Sequence, residues 1–187
     1  MKRTVHITAA LIVMTFSSAV QTSAQTAGPV RTVPSVNLDR YVGEWFEIAR
    51  FPNRFQRECV GEVRARYTRR PDGRIDVLNQ CRTERGGKEA SGIARVVDAR
   101  TSAQLKVRFA PAALSFLPFV WGDYWIIGLA DDYSWAVVGS PDREYLWILA
   151  RTDRLDEQSS AAARKAAAAN GFDVARLVQT PQVSGPR

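Results

Sequence analysis

The chain has 187 residues, with 26 Lys and Arg against 19 Asp and Glu, two cysteines and one histidine. That length suits one domain with one sizeable core. The net charge of +7 reads as an ordinary solvated surface, because no basic run with interleaved aromatics accompanies it, and nucleic acid is not expected as a partner.

Residues 1–24, MKRTVHITAALIVMTFSSAVQTSA, have a basic start, an apolar run from Ile7 to Phe16 and a small-residue end at Thr22-Ser23-Ala24. This is the pattern of a secretory signal peptide cut after Ala24, and the apolar run is too short to span a bilayer. Cleavage would leave about 163 residues with a charge of about +5, and it would remove His6, the only histidine. A mature chain without histidine cannot build Ser-His-Asp or Cys-His catalysis, a His-ligated zinc or a proximal-histidine haem. No metal or cofactor is expected. Residues 25–36, QTAGPVRTVPSV, read as a flexible N-terminal segment before a folded domain over 37–178, with 179–187 as a C-terminal tail.

From Gly43 onward the pattern is period-two alternation, the mark of strands with one buried face. The first strand is expected over Gly43 to Arg50. Val63, Ala65 and Tyr67 alternate with Glu62, Arg64 and Arg66; Pro71-Asp72-Gly73-Arg74 makes a turn; Ile75, Val77 and Asn79 follow on the inner face, so Glu62 to Cys81 is a hairpin. Cys59 and Cys81 form an even pair in an exported chain, where a disulfide is commoner than a metal or catalytic site. Further strands are expected over Glu89 to Val97, Leu105 to Phe109, Gly122 to Ala130, Tyr133 to Gly139 and Glu144 to Thr152. The alanine-rich stretch Asp156 to Asn170, stopped by Gly171, is a helix.

The fold class is therefore all-β: an eight-stranded antiparallel up-and-down β-barrel, or calyx, with one C-terminal α-helix packed outside. Closure removes the sheet edges, and eight strands leave an interior just wide enough for one small ligand. If the first strand runs from base to mouth, Cys59, Cys81 and the loop Ala110 to Val120 fall at the mouth. The Ala130 to Tyr133 turn and Arg151 then fall at the base. There Trp45 from the first strand meets Arg151 from the last in a cation–π contact, and Gly43 leaves room for it.

Gly43-Glu44-Trp45, Asp131-Asp132-Tyr133 and Arg151 after Leu146-Trp147-Ile148-Leu149-Ala150 resemble the three signature regions of lipocalins. With Asp76-Val77-Leu78-Asn79-Gln80, the chain is similar to apolipoprotein D-like and bacterial outer-membrane members of that family. The resemblance implies a binding protein for fatty acids, lysophospholipids or similar apolar molecules. It places pocket residues at Tyr67, Asn79, Phe109, Tyr124, Trp135 and Trp147, and the alternation independently turns Tyr67, Asn79 and Phe109 inward. Gly43, Trp45, Asp132, Tyr133 and Arg151 would form the barrel floor. Two departures stand out: Phe46 replaces the usual tyrosine, and no cysteine precedes Cys59 to carry the N-terminal lipid of many bacterial relatives. The expectation is an exported periplasmic or secreted protein associated with the outer membrane, if at all, without an acylated cysteine.

Several readings stay open at this point. Trp147 and Tyr124 fit either core or ligand contact, and the Asn79 amide could meet a ligand headgroup, a neighbouring strand or water. The loop residues Leu114, Phe116, Leu117 and Phe119 suit a membrane-touching lid or a homodimer contact if exposed, or a plug if tucked into the mouth. The expected function is binding, storage or transport of a small apolar ligand in the cell envelope, without catalysis. The alternatives are an enzyme acting on a bound lipid and a structural protein with a filled barrel.

Overall fold

A computed structural model describes residues 28–182. The expected signal peptide lies outside the described residues. A short helix α1 (Leu38–Tyr41) leads into β1 (Gly43–Arg50), followed by β2 (Gly61–Arg69), β3 (Ile75–Thr83), β4 (Gly86–Val96), β5 (Gln104–Arg108), β6 (Gly122–Leu129), β7 (Trp135–Gly139) and β8 (Leu146–Ala150). Helix α2 (Glu157–Ala169) and a two-residue strand β9 (Val178–Gln179) complete the described fold. Each strand pairs antiparallel with the next, and β1 pairs with both β8 and β2, so β1 to β8 close into the expected barrel.

Two apolar cores lie on opposite sides of the sheet. The inner one gathers Trp45, Ala65, Tyr67, Ile75, Val77, Ala94, Leu105, Ile126, Ala136, Val138 and Leu149. The outer one lies between the sheet and α2 and includes Ile127, Val137, Leu146, Ile148, Ala163, Ala167 and Phe172. On β2 the outer face meets water, which is why Arg64 and Arg66 alternate with buried Ala65 and Tyr67. On β7 and β8 the helix covers the outer face, so Trp-Ala-Val-Val-Gly and Leu-Trp-Ile-Leu-Ala are apolar throughout. Alanine allows α2 to approach closely: Ala163 and Ala167 are fully buried, and the Asp156 carboxylate caps the helix by accepting from the Ser159 backbone N–H at 2.8 Å.

The described parts of both segments read as loose ends, residues 28–36 and 179–182, are packed. In the stretch expected to be flexible, Val30 and Val36 are buried, and the Val33 and Val36 N–H groups donate to Ile126 and Thr101 carbonyls at 2.9 and 2.7 Å. The expected boundary at 178 is also moved, because β1 and β2 part company beyond the Phe46–Arg64 pair. Strand β9 takes the freed side of β1, pairing Ala49 with Gln179 and Arg50 with Val178. Thr180 N–H then donates to Ile48 O, Glu62 N–H to Pro181 O, and Gln182 Nε2 to the carbonyls of Glu47 and Val63. Backbone groups on a parted seam need partners, and the tail supplies them. Tyr133, expected to open a strand, lies in the β6–β7 turn with φ of 65°.

Candidate functional site

The floor is built on Trp45, which is fully buried. The Arg151 guanidinium carbon lies 3.7 Å from its ring centroid. Arg151 Nη2 donates to the Arg40, Tyr41 and Val42 carbonyls at 2.7, 3.0 and 3.1 Å, and Nη1 to Glu44 O at 2.8 Å. Both Nη groups are thus spent on carbonyls at the C-terminal end of α1 and the start of β1. Gly43 turns the chain between them with φ of +98°, a conformation that side chains disfavour, and a Cβ there would stand 3.3 Å from Arg151 Nη1. Tyr133 clips the turn to α1: its hydroxyl accepts from Asn37 N–H at 2.8 Å and its ring carries Arg40 at 4.1 Å. Asp132 serves the turn, accepting from Ser134 N–H at 2.9 Å; hydrogen bonds from Ser134 hold its carboxyl below the usual range.

Packed against Trp45 at the base end is a group of three tyrosines. The Tyr124 hydroxyl lies 2.8 Å from that of Tyr41 and 3.0 Å from that of Tyr67. Tyr41 also packs on Trp45 with ring centroids 5.1 Å apart and stacks on Tyr67 at 5.9 Å. Burial pushes the Tyr67 phenol up to about 12, and burial with neighbouring phenols holds Tyr41 and Tyr124 well above the usual tyrosine range. Tyr41 escaped the sequence reading, although it stands four residues before Trp45, whose Nε1 donates to its carbonyl at 2.8 Å.

The mouth half is lined differently. Asn79 pairs across the strands with Ala65 and Ala90, and its amide makes no hydrogen bond among the described residues because both neighbours are too short to reach it. One step lower, Val77 pairs with Gly92, and the Phe109 ring lies over that glycine; a Cβ on Gly92 would come within 2.7 Å of Phe109 Cδ1. Trp147 faces the interior, stacked on Tyr145 at 5.8 Å, and its Nε1 donates to Gln56 Oε1 at 2.9 Å. Gln56 belongs to a single helical turn, Arg54–Gln56, that leans over the mouth, and its Nε2 donates to the buried Glu47. Glu47 also accepts from Arg50 Nη1 at 3.0 Å and from the Thr180 hydroxyl. A buried carboxylate persists when paired and hydrogen-bonded in this way. The alternation from Trp45 would have placed Glu47 inside; Gln56 and Thr180 arrive from loops that no periodicity marks.

One expected pocket residue is corrected. Trp135 packs in the outer core with Val137, while Ala136 and Val138 face the interior. Tyr67, Asn79, Phe109, Tyr124 and Trp147 are brought together on the inner surface; Trp135 is not. At the rim, Cys59 and Cys81 are joined in a disulfide. The loop after β5 does not plug the mouth: Leu114, Phe116 and Phe119 are exposed, the two phenylalanines by 77 and 80%, whereas Leu117 is half-buried.

Known proteins share this architecture. The model of the family described as a lipocalin-like domain matches residues 36–182. Temperature-induced lipocalin-1 of Arabidopsis thaliana is 41% identical over 161 residues, covering 84% of this chain and 85% of its own. Outer membrane lipoprotein Blc of Escherichia coli K12 is 38% identical over 155 residues, 82% of this chain and 83% of its own. Apolipoprotein D of Macaca fascicularis is 30% identical over 158 residues, 79% of this chain and 78% of its own. Among solved structures, insecticyanin from the tobacco hornworm Manduca sexta shares the fold with a TM-score of 0.65 at 16% identity, covering 83% of this chain and 86% of its own. A barrel closed by eight strands, floored by a tryptophan under an arginine and matched along most of its length by these relatives, places the chain in the lipocalin family.

Proposed function

We propose that the protein binds a single-chain lipid, a fatty acid or lysophospholipid, in the mouth half of the barrel and carries it within the envelope without chemical change. The observation that carries this reading is a set of inward-facing residues that nevertheless keep accessible surface. Ala90 is exposed, and Asn79, Gly92, Tyr124 and Trp147 are half-buried, although all five point into the barrel. Such surface, apolar with few polar groups, is what a small-molecule site offers. Burying a 16-carbon chain at about 0.8 kcal/mol per methylene supplies ample gross driving force for micromolar affinity after the costs of association. Envelope residence is supported by the leader-like residues 1–24 and by the outer-membrane relative.

The lipid would be collected at a membrane surface. Exposed Phe55, Leu114, Phe116 and Phe119 stand at the mouth end, with exposed Arg54, Arg57 and Arg85 on the same end to meet anionic headgroups. Native mass spectrometry of the protein purified without detergent tests the binding reading: one bound lipid per chain, released unchanged, supports it. A protein that stays empty and whose tryptophan fluorescence ignores added fatty acid and lysophospholipid overturns it in favour of a filled structural barrel.

A further inference from the structure

The hydroxyls of Tyr41, Tyr67 and Tyr124 carry three protons, one on each oxygen. The group contains two hydrogen bonds, Tyr41 to Tyr124 and Tyr124 to Tyr67, and no hydroxyl has a partner outside the group among the described residues. Each bond consumes one proton. Whichever way the hydroxyls rotate, one O–H is left with nothing to donate to. Arg151 cannot accept it, because a guanidinium has no acceptor, and the nearby Tyr41 carbonyl faces Arg151 and Trp45.

We propose that this tyrosine group is a hydrogen-bond donor at the deep end of the lipid cavity, recognising a neutral oxygen acceptor, a hydroxyl, carbonyl or ester oxygen, at the leading end of the ligand's apolar chain. The proposal rests on the binding reading above and specifies which lipid fits best. An undonated O–H costs free energy when a methyl group is pressed against it and regains it when an oxygen arrives. A carboxylate is the poorer group for this end: it brings a full charge to a buried place where one donor proton is on offer and both Arg151 Nη groups already serve backbone carbonyls. Tyr124 is the member that reaches the lumen, since it alone of the three keeps half-buried exposure on an inward face. From Tyr67 to the mouth end of β2 at Gly61 is six residues, or roughly 20 Å of strand. A chain with its charged head at the mouth therefore places its far end near the tyrosines.

The test compares hexadecanoic acid with 16-hydroxyhexadecanoic acid on the intact protein by tryptophan quenching and calorimetry. In a barrel with an apolar bottom, the terminal hydroxyl would weaken binding tenfold or more. The tyrosine group predicts that the hydroxylated acid binds at least as tightly as the plain one. It also predicts that Tyr41→Phe/Tyr67→Phe/Tyr124→Phe restores a preference of tenfold or more for the plain acid. A native protein that already disfavours the hydroxylated acid tenfold overturns the inference and leaves the binding reading standing. Failure to bind either acid overturns the binding reading itself. The native comparison decides the matter even if the triple variant does not fold.

Discussion

The floor and the mouth of this barrel are built on opposite rules. At the floor, donors converge on backbone carbonyls: the two Nη groups of Arg151 bond four of them, Trp45 Nε1 shares the Tyr41 carbonyl, and Tyr133 fastens the turn to α1. At the mouth, Asn79 makes no side-chain bond, Phe109 is half exposed over a glycine, and two phenylalanines stand in solvent. One end is cross-braced through backbone carbonyls, and the other is lined by side chains that carry few bonds.

Replacements at the floor should therefore act on stability, and replacements at the mouth on transfer. The largest effect is expected for Trp45→Ala, which should lower unfolding free energy by about 3 to 5 kcal/mol in urea titration while lipid affinity of the folded fraction changes less than about threefold. Removing the rim disulfide with Cys59→Ser/Cys81→Ser opens a 22-residue loop and should cost about 3 kcal/mol in the chain-entropy account. An equal cost on reducing the bridge of the parent, with both thiols kept in place, would confirm that the bridge, and not thiol packing, carries it.

Alkaline titration separates the two ends by another route. The phenol of Tyr67 is raised from 10.0 to about 12 by burial. A native state that holds its proton longer than the unfolded chain is favoured below pH 10 and loses that advantage as pH climbs toward 12. Stability should fall by about 2 to 3 kcal/mol across that window from Tyr67 alone. The drop should shrink in Tyr67→Phe when urea midpoints are compared at pH 9 and pH 12. The smallest stability effect belongs to Phe116→Ser/Phe119→Ser, within about 0.5 kcal/mol of the parent. This pair should nonetheless slow lipid uptake from anionic liposomes severalfold, and unchanged rates would remove the membrane-contact reading.

The sequence showed most of the scaffold because half of the barrel faces water. On β2 and β3 the alternation of Arg64, Arg66 and Asp76 with Ala65, Tyr67 and Val77 marks the inner face directly. Where α2 covers the sheet, that signal vanishes, and Trp135 could not be told from an inner residue among neighbours that are all apolar. The site was half readable for a related reason. Tyr67, Asn79 and Phe109 follow from strand periodicity, but Tyr41 sits on a four-residue helix and Gln56 on a single turn, both too short to carry a period. Residues 179–182 read as a tail because their partners, the freed edges of β1 and β2, exist only once the barrel has closed.

That seam has a consequence for the order of events in synthesis. The gap between the mouth-side halves of β1 and β2 is filled by Val178 to Gln182, which leave the ribosome long after both strands have done so. A nascent chain can pair its strands one after another as they emerge, yet it carries an unsatisfied edge at Ile48 and Glu62 until about 120 to 130 further residues have followed. Completion of the barrel is thus tied to the synthesis of Val178 to Gln182. A product cut short before Val178 would display that raw edge, open to pairing with another chain.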